Sequence, residues 1–181
     1  MLQKLNPFKP LSFYRFNIQP DKKEFDDILK GLKLTSAKDF DVHTKNNVTT
    51  DYGDPKSFEV WSQYFYKHCG KFVEDIAIDK QINLQLKDIW IQISNGEQTH
   101  LGHNHGHIEN LSFIWYIDVD LKSGHRGTVF HSPFDMNETV EMDDVKIGDC
   151  ILWPSNVFHM QFPSFVAKER IIMSGNITTS L

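Results

Sequence analysis

The sequence has few of the features that mark secreted, membrane or nucleic-acid-binding proteins. Only two of its 181 residues are cysteines, Cys69 and Cys150, too few for a disulfide framework, so we expect a reducing, cytoplasmic location. No apolar run approaches the ~18 residues of a membrane span, and the opening segment MLQKLNPFKP lacks an apolar signal core. The net charge of −5 argues against broad, sequence-independent binding of nucleic acid.

The length and the residue patterns predict a single domain over residues 1–181. Residues 1–80 are expected to form a mostly helical support region. One helix is predicted from a capping pair at Asp21 and Glu24 to Leu32. The polar stretch 35–54 is expected to be a long surface loop. A second helix is predicted to start at Asp54-Pro55, and its aromatic residues recur at helical spacing, namely Phe58, Trp61, Phe65 and Phe72.

From Ile82 onward, apolar residues alternate with polar ones, which is typical of strands. The alternation slips by one position at Lys87-Asp88, which predicts a bulge or bend there. Further strand-like runs follow, separated by Gly, Pro, Asn and Asp: LSFIWYIDV, GTVFHSPF, DCILWP, VFHMQF and ERIIMSGNI. Residues 82–178 are therefore expected to be the β core of a mainly β, α+β protein, a barrel or two-sheet jelly roll with N-terminal helices packed on one face.

A histidine-rich segment, HLGHNHGHIE, is the strongest chemical signal in the sequence, and it contains His105 and His107. Neutral imidazole is the commonest metal ligand in proteins. Two ligands at positions i and i+2 of an extended segment point to the same side. A third histidine, His159, follows the turn in WPSNVFH on a strand-like run. These three side chains could close a facial metal site that leaves open positions on the metal.

Arg170 begins the last strand-like run and shares one of its faces with Ile172, Ser174 and Asn176. A guanidinium that faces a barrel interior is costly unless an anion pairs with it. No acidic residue alternates with Arg170 on that strand, so an anionic ligand is its expected partner. The alternative is an exposed Arg170 in a surface ion pair with Glu169 or another acid.

Taken together, these motifs resemble the iron(II)- and 2-oxoglutarate-dependent oxygenases, and in particular the small oxygenase-like proteins of phages and bacteria. The resemblance covers about residues 89–177, half of the chain. It rests on the order of the matching residues, which are His105, His107, Ser112, Tyr116, Gly148, Trp153, Pro154, Ser155, His159, Arg170 and Asn176.

The resemblance implies a double-stranded β-helix in which His105, His107 and His159 hold Fe(II). It further implies that Arg170, with Tyr116, Ser174 and Asn176, binds 2-oxoglutarate. The implied reaction uses O2 to hydroxylate a C–H bond of an unidentified substrate and releases succinate and CO2. A phage-encoded enzyme of this kind would act in the host cytoplasm, and a homodimer is a further expectation.

The sequence departs from the family pattern at the second ligand. Most such enzymes have Asp or Glu two residues after the first histidine, where this chain has His107. An alternative set uses His107 with Glu109, which restores a carboxylate. We rank it second because the gap from His107 to Tyr116 is short for the usual loop. The alternative function is a cupin-like metal-binding protein without oxygenase activity, and a capsid-type jelly roll is a third. A cupin-like protein needs no buried arginine, so the direction of Arg170 distinguishes it from an oxygenase.

Overall fold

The computed structural model describes residues 1–36, 44–45, 48–52, 54–106, 110–135 and 137–180, without the side chains of 44–45, 95–100, 163–167 and 180. Strands dominate this part of the chain, which confirms the mainly β prediction. In chain order the elements are β1 Gln3–Leu5, β2 Phe13–Asn17, α1 Lys22–Lys30, β3 Thr35–Ser36, β4 Thr44–Lys45, β5 Val48–Thr50, α2 Ser57–Lys80, β6 Asn83–His103, β7 Leu111–Asp118, β8 Thr128–His131, β9 Thr139–Glu141, β10 Asp149–Pro154 and β11 Phe158–Ser180.

Two long strands, β6 and β11, organise the sheets. The later part of β11 pairs with the start of β6 and with β7, and the large sheet runs in the order β1-β2-β10-β7-β11-β6-β5-β3. The first residues of β11 pair with the far end of β6 on one side and with β8, in place of β7, on the other. β8 also pairs with β9, and the far end of β6 also pairs with β4. Register shifts in β11 between Gln161 and Arg170 separate these two parts. Antiparallel strands that pass from one sheet to another in this way form a jelly roll.

Both helices begin near the residues that the sequence indicated. Asp21 caps α1 by accepting a hydrogen bond from the backbone N–H of Glu24, at 3.0 Å. The predicted start of α2 at Asp54-Pro55 is early, because Asp54 forms a turn in which its side chain accepts from the N–H of Lys56, and the helix begins at Ser57.

Helix α2 packs its aromatic side chains on the outer face of the large sheet. The ring of Phe65 stacks on Phe113 of β7 with centroids 4.5 Å apart, and Tyr64 stacks on Trp115 at 5.6 Å. Trp61 is fully buried in the same cluster, whereas Phe58 is 46% exposed. Of the four aromatic residues predicted at helical spacing, the first therefore lies outside the buried face of α2. Strand β7 is buried on both faces because helices cover one side and the jelly-roll interior covers the other.

The stretch 35–54 is not simply a surface loop, as its composition suggested. β5 pairs with β6, and the fully buried Asp51 follows β5. Asp51 accepts hydrogen bonds from the indole N–H of Trp61 and from the backbone N–H of Ile91, the latter at 2.9 Å. Burial raises the pKa of this carboxyl. The carboxylate of Asp51 therefore links α2 to β6 by hydrogen bonds.

The slip in the strand pattern at Lys87-Asp88 is a bulge, as the alternation predicted. Asn176 of β11 pairs with Asp88, but the next residue, Ile177, pairs with Leu86, so Lys87 has no partner on β11. The extra residue allows Leu86 and Ile89 to face the same core cluster.

A second core cluster fills the space between the two sheets. Its members come from the inner faces of both, and they include Phe13, Tyr116, Phe130, Ile151, Trp153 and Ile172. Gly148 enters β10 with a φ of 90°, a left-handed conformation that favours glycine. Among the described residues, neither helix is apolar enough over its length to cross a membrane.

Candidate metal and anion site

The end of β6 and the beginning of β11 bring three histidines to one place. His103 is the last residue of β6, and its direct cross-strand neighbour on β11 is His159. His105 lies two residues beyond His103, after the strand has ended. Their rings are close together, with centroids separated by 4.5 Å for His103 and His159, 4.9 Å for His103 and His105, and 5.2 Å for His105 and His159.

The three side chains offer nitrogen ligands that all lie within 4.8 Å of one another. Local hydrogen bonds determine the tautomer of two of the rings. Nδ1 of His103 lies 3.0 Å from the carbonyl of Leu101, and Nδ1 of His159 lies 3.2 Å from the carbonyl of Val157. Because a carbonyl only accepts, each Nδ1 must donate its proton there, which leaves the lone pair on Nε2. A backbone carbonyl behind a histidine is the usual arrangement that orients a metal ligand.

The segment that carries His105 is attached to the turn before β11. The backbone N–H of His105 donates to the carbonyl of Ser155 at 2.8 Å, and the N–H of Ser155 donates to the carbonyl of Asn110 at 2.8 Å. The Ser155 hydroxyl lies 2.9 Å from that of Ser112 on β7. The turn that contains Ser155 and precedes His159 therefore also restrains the backbone at His105 by a hydrogen bond.

Of the ligands predicted from the sequence, the structure brings together His105 and His159, with His103 as the third member. His107 and the alternative ligand Glu109 lie outside the described residues, so their roles stay predictions. His103 was not among the predicted ligands, although it precedes His105 by the same two-residue spacing as His107 follows it. His103 and His159 are cross-strand neighbours because of the register between β6 and β11. This pairing favours His103 and His105 over His105 and His107 as the ligand pair, and it could not be read from the two-residue spacing.

Arg170 lies inside the jelly roll and is linked to this cluster through Gln161, which lines the same cavity as the three histidines. Its side chain is 1% exposed, its Nη1 donates to Oε1 of Gln161 at 2.7 Å, and its Cζ lies 5.4 Å from the ring centroid of Tyr116. Nε and Nη2 have no hydrogen-bond partner among the described residues. Burial lowers the pKa of the guanidinium, although arginine remains protonated at neutral pH. The surface ion pair considered above as an alternative does not form.

The other predicted cosubstrate residues surround the same interior. The hydroxyl of the fully buried Tyr116 lies 2.8 Å from Oγ1 of Thr128 and accepts from the N–H of Thr128 at 3.1 Å. Ser174 lines the cavity described below. Contact of these residues with a cosubstrate stays a prediction.

Asn176 lies at the far end of this face, and both ends of its amide are engaged. Its Oδ1 accepts from the Ser112 hydroxyl and its Nδ2 donates to Oδ1 of Asp88, both at 2.7 Å. Burial raises the pKa of the Asp88 carboxyl. The amide therefore links the bulge in β6 to Ser112, which itself lines the cavity.

A cavity with about 460 Å³ of empty space, including its mouth, connects the histidines with the interior. Its walls include His103, His105, His159, Gln161, Ser174 and Trp153. The indole N–H of Trp153, which is 3% exposed, has no hydrogen-bond partner among the described residues. The unpaired buried groups of Arg170 and Trp153 are all donors, so the interior is complementary to a ligand rich in acceptor oxygens.

Comparison with known proteins shows similarity in structure without similarity in sequence. No protein-family model matches the sequence, and no curated protein matches it. HygX from Streptomyces hygroscopicus, solved with nickel, 2-oxoglutarate and hygromycin B, superposes with a TM-score of 0.66 at 8% identity, over 92% of this chain and 82% of that one.

Two further solved structures are similar over most of their length. A Pseudomonas putida prolyl-4-hydroxylase has a TM-score of 0.60 at 12% identity, with 92% of this chain and 91% of that one covered. An oxidoreductase of the 2OG-Fe(II) oxygenase family from Burkholderia pseudomallei has a TM-score of 0.63 at 8% identity, over 86% and 76%. The chain thus has the jelly-roll fold of structurally characterised 2-oxoglutarate- and iron(II)-dependent oxygenases.

Proposed function

We propose that the protein is an Fe(II)- and 2-oxoglutarate-dependent oxygenase that hydroxylates a C–H bond of a substrate not yet identified. One observation carries the proposal: a three-histidine cluster and a buried arginine with unpaired donors lie together inside one jelly roll. The fold of the neighbours and the nickel and 2-oxoglutarate in HygX support the same assignment.

The donor set fits a divalent metal, and we assign the ligands as His103, His105 and His159. Nitrogen ligands suit Fe(II), although oxygenases of this kind more often combine two histidines with a carboxylate. Three neutral imidazoles leave the charge of the ion uncompensated. The two negative charges of 2-oxoglutarate would balance it, so the loaded site would be neutral overall.

The interior fits the remote carboxylate of 2-oxoglutarate. Arg170 offers Nε and Nη2, two donors that match a carboxylate bidentately. Tyr116 lies beneath the guanidinium and closes the interior on that side. These residues would bind and orient the cosubstrate and exclude water. When bound, Fe(II) and 2-oxoglutarate supply the oxidising chemistry, with O2 consumed and succinate and CO2 released.

A cupin-like metal-binding protein remains the alternative. It would account for the histidines, but not for a cation held inside the fold with two unpaired donors. The position of Arg170 therefore favours the oxygenase.

The decisive experiment is anaerobic addition of Fe(II) and 2-oxoglutarate to the purified protein. We expect a weak visible charge-transfer band that requires both additions and disappears with a chelator. Exposure to O2 should then produce succinate. Arg170→Leu serves as the matched control, since it should retain the metal and lose the band. Metal binding by the wild-type protein with neither a band nor 2-oxoglutarate affinity would favour the cupin-like alternative.

A further inference from the structure

The side chain that accepts a hydrogen bond from Nη1 of Arg170 is a neutral amide, and the Tyr116 side chain is a second neutral polar group beside the guanidinium. Gln161 accepts from Nη1 at 2.7 Å, and both residues are buried, at 8% exposure for Gln161 and 1% for Arg170. Among the described residues the guanidinium donates to Gln161 and not to a carboxylate, while Nε and Nη2 have no partner. A buried arginine is usually balanced by an acid. Because glutamine is neutral, it leaves the positive charge of Arg170 uncompensated.

The hydrogen bond determines which way the amide of Gln161 is oriented. A guanidinium only donates, so the atom that faces it must be the carbonyl oxygen Oε1. The NH2 group of Gln161 then points away from the guanidinium. A glutamate at this position would instead pair with Arg170 and neutralise it inside the protein.

Gln161 also links the histidine cluster to Arg170. It follows the metal-ligand candidate His159 by two residues on β11, and it lines the same cavity as the three histidines. It therefore restrains Arg170 from the side of the metal cluster.

We infer that Gln161 is a positioning and specificity-determining residue: it orients Arg170 without neutralising it and so reserves the guanidinium for the second carboxylate of the cosubstrate. This inference rests on the proposed function and adds the residue that selects a dicarboxylate over a monocarboxylate. It predicts that the pocket can be made insensitive to the second carboxylate without changing the metal ligands or Arg170.

The test compares Gln161→Glu and Gln161→Met with wild type, using two probes under anaerobic conditions with Fe(II). One probe is 2-oxoglutarate and the other is 2-oxobutyrate, which has the same keto-acid end but no second carboxylate. Gln85→Glu is the matched control, since it makes the same change of charge on the exposed side of β6, away from the cavity.

In Gln161→Glu we expect 2-oxoglutarate to bind about 100-fold more weakly, within the range for loss of a buried charge pair. Iron and 2-oxobutyrate should bind as in wild type, a difference between probes that general loss of structure would not produce. Gln161→Met keeps the length of the side chain without an acceptor, and a loss of about 10-fold is expected for one hydrogen bond to a charged group. Gln85→Glu should match wild type with both probes.

Wild-type affinity of Gln161→Glu for 2-oxoglutarate would overturn the inference. If Gln161→Glu failed to bind iron, Gln161→Met would decide: a selective loss of 2-oxoglutarate supports the inference, and unchanged affinity overturns it. Failure of the wild-type protein to bind 2-oxoglutarate in the presence of iron would instead refute the proposed function, whatever the variants do.

Discussion

Individual side chains at the site are held by backbone groups as much as by one another. His103 and His159 each donate from Nδ1 to a carbonyl two residues earlier, and the backbone N–H of His105 donates to Ser155. Such bonds orient the imidazoles in advance, which would reduce the conformational entropy lost if they bind a metal as proposed. Arg170 is prepared in a similar way by Gln161 and Tyr116.

Two variants can decide whether His103 or His107 is the metal ligand beside His105 and His159. His103→Ala should weaken iron binding far more than the ~10–100-fold that is typical of changes behind the ligands. His107→Ala should leave the affinity nearly unchanged if His103 is the ligand. Anaerobic titration with Fe(II) measures both, and Glu109→Gln tests the remaining alternative. A severe loss in His107→Ala with normal binding by His103→Ala would restore the ligand pair first expected from the sequence.

Replacing the buried arginine should separate cosubstrate binding from metal binding. Arg170→Leu is expected to weaken 2-oxoglutarate binding by ~2–5 kcal/mol, the cost of losing one partner of a buried charge pair. Iron affinity should change little, because Arg170 is not among the candidate ligands. Arg170→Lys should rescue only in part, since an ammonium cannot reproduce the bidentate geometry. Isothermal titration with 2-oxoglutarate in the presence of the metal provides the measurement, and normal affinity of Arg170→Leu would exclude the assignment.

At the scale of elements, the large sheet depends on α2 to cover its outer face. The contact is apolar along most of the helix, with one polar attachment near its start, where Asp51 joins Trp61 of α2 to the backbone of Ile91 on β6. Two donors converge on this carboxylate, and both are buried. An attachment of this kind sets the position of the helix on the sheet more narrowly than apolar contacts alone.

Asp51→Asn should therefore destabilise the fold. One of the two converging donors would face the NH2 of asparagine, and an unsatisfied buried donor costs about 1–3 kcal/mol. Asp143→Asn, at an exposed position in the turn after β9, is the matched control and should change stability by less than about 0.5 kcal/mol. Urea unfolding measures both, and equal stability of the two variants would contradict the role of Asp51.

The stability difference between wild type and Asp51→Asn should also depend on pH. Burial raises the folded-state pKa of Asp51 above its usual 3.8. A raised pKa contributes stability that is fully present below the unfolded value and is lost as the pH rises through the folded one. The stability difference between wild type and Asp51→Asn should thus narrow as the pH rises from 3.8 upward. A difference that widened over this range would indicate that the carboxyl is favoured in its charged form.

At the scale of the whole molecule, the site joins parts of the chain that are far apart in sequence. Its candidate ligands come from β6, the segment after β6, and β11, and Arg170 lies beyond the register shifts in β11. A metal with its cosubstrate would therefore cross-link both sheets. The possible homodimer stays a prediction, which light scattering can examine.

Ligand binding should stabilise the native protein by mass action. At a ligand concentration 100 times the Kd, the gain is about 2.7 kcal/mol, and each kcal/mol raises Tm by roughly 2–4 °C in a domain of this size. We expect the shift with Fe(II) and 2-oxoglutarate together to exceed that with Fe(II) alone, and a chelator to reverse both. Anaerobic differential scanning fluorimetry is the measurement. His159→Ala should show neither shift, and a full shift in that variant would place the metal elsewhere.

The sequence by itself determined the class of fold and indicated the residue types of the candidate site. Period-two alternation, its slip at Lys87-Asp88, and the capping pair at Asp21 depend on local geometry, so they could be predicted from neighbouring residues. The sequence also placed no acid in alternation with Arg170 on its strand, and among the described residues the buried guanidinium donates to Gln161 rather than to an acid.

Only the tertiary structure decided which residues meet. His103, His105 and His107 all follow the same alternation, so no local pattern could choose among them. The register of β6 against β11 places His103 opposite His159. Gln161 belongs to no motif, and Asp51 lies in a stretch that is polar enough to suggest a loop. Their roles arise from contacts across sheets and layers, which depend on strand register and packing rather than on the order of nearby residues.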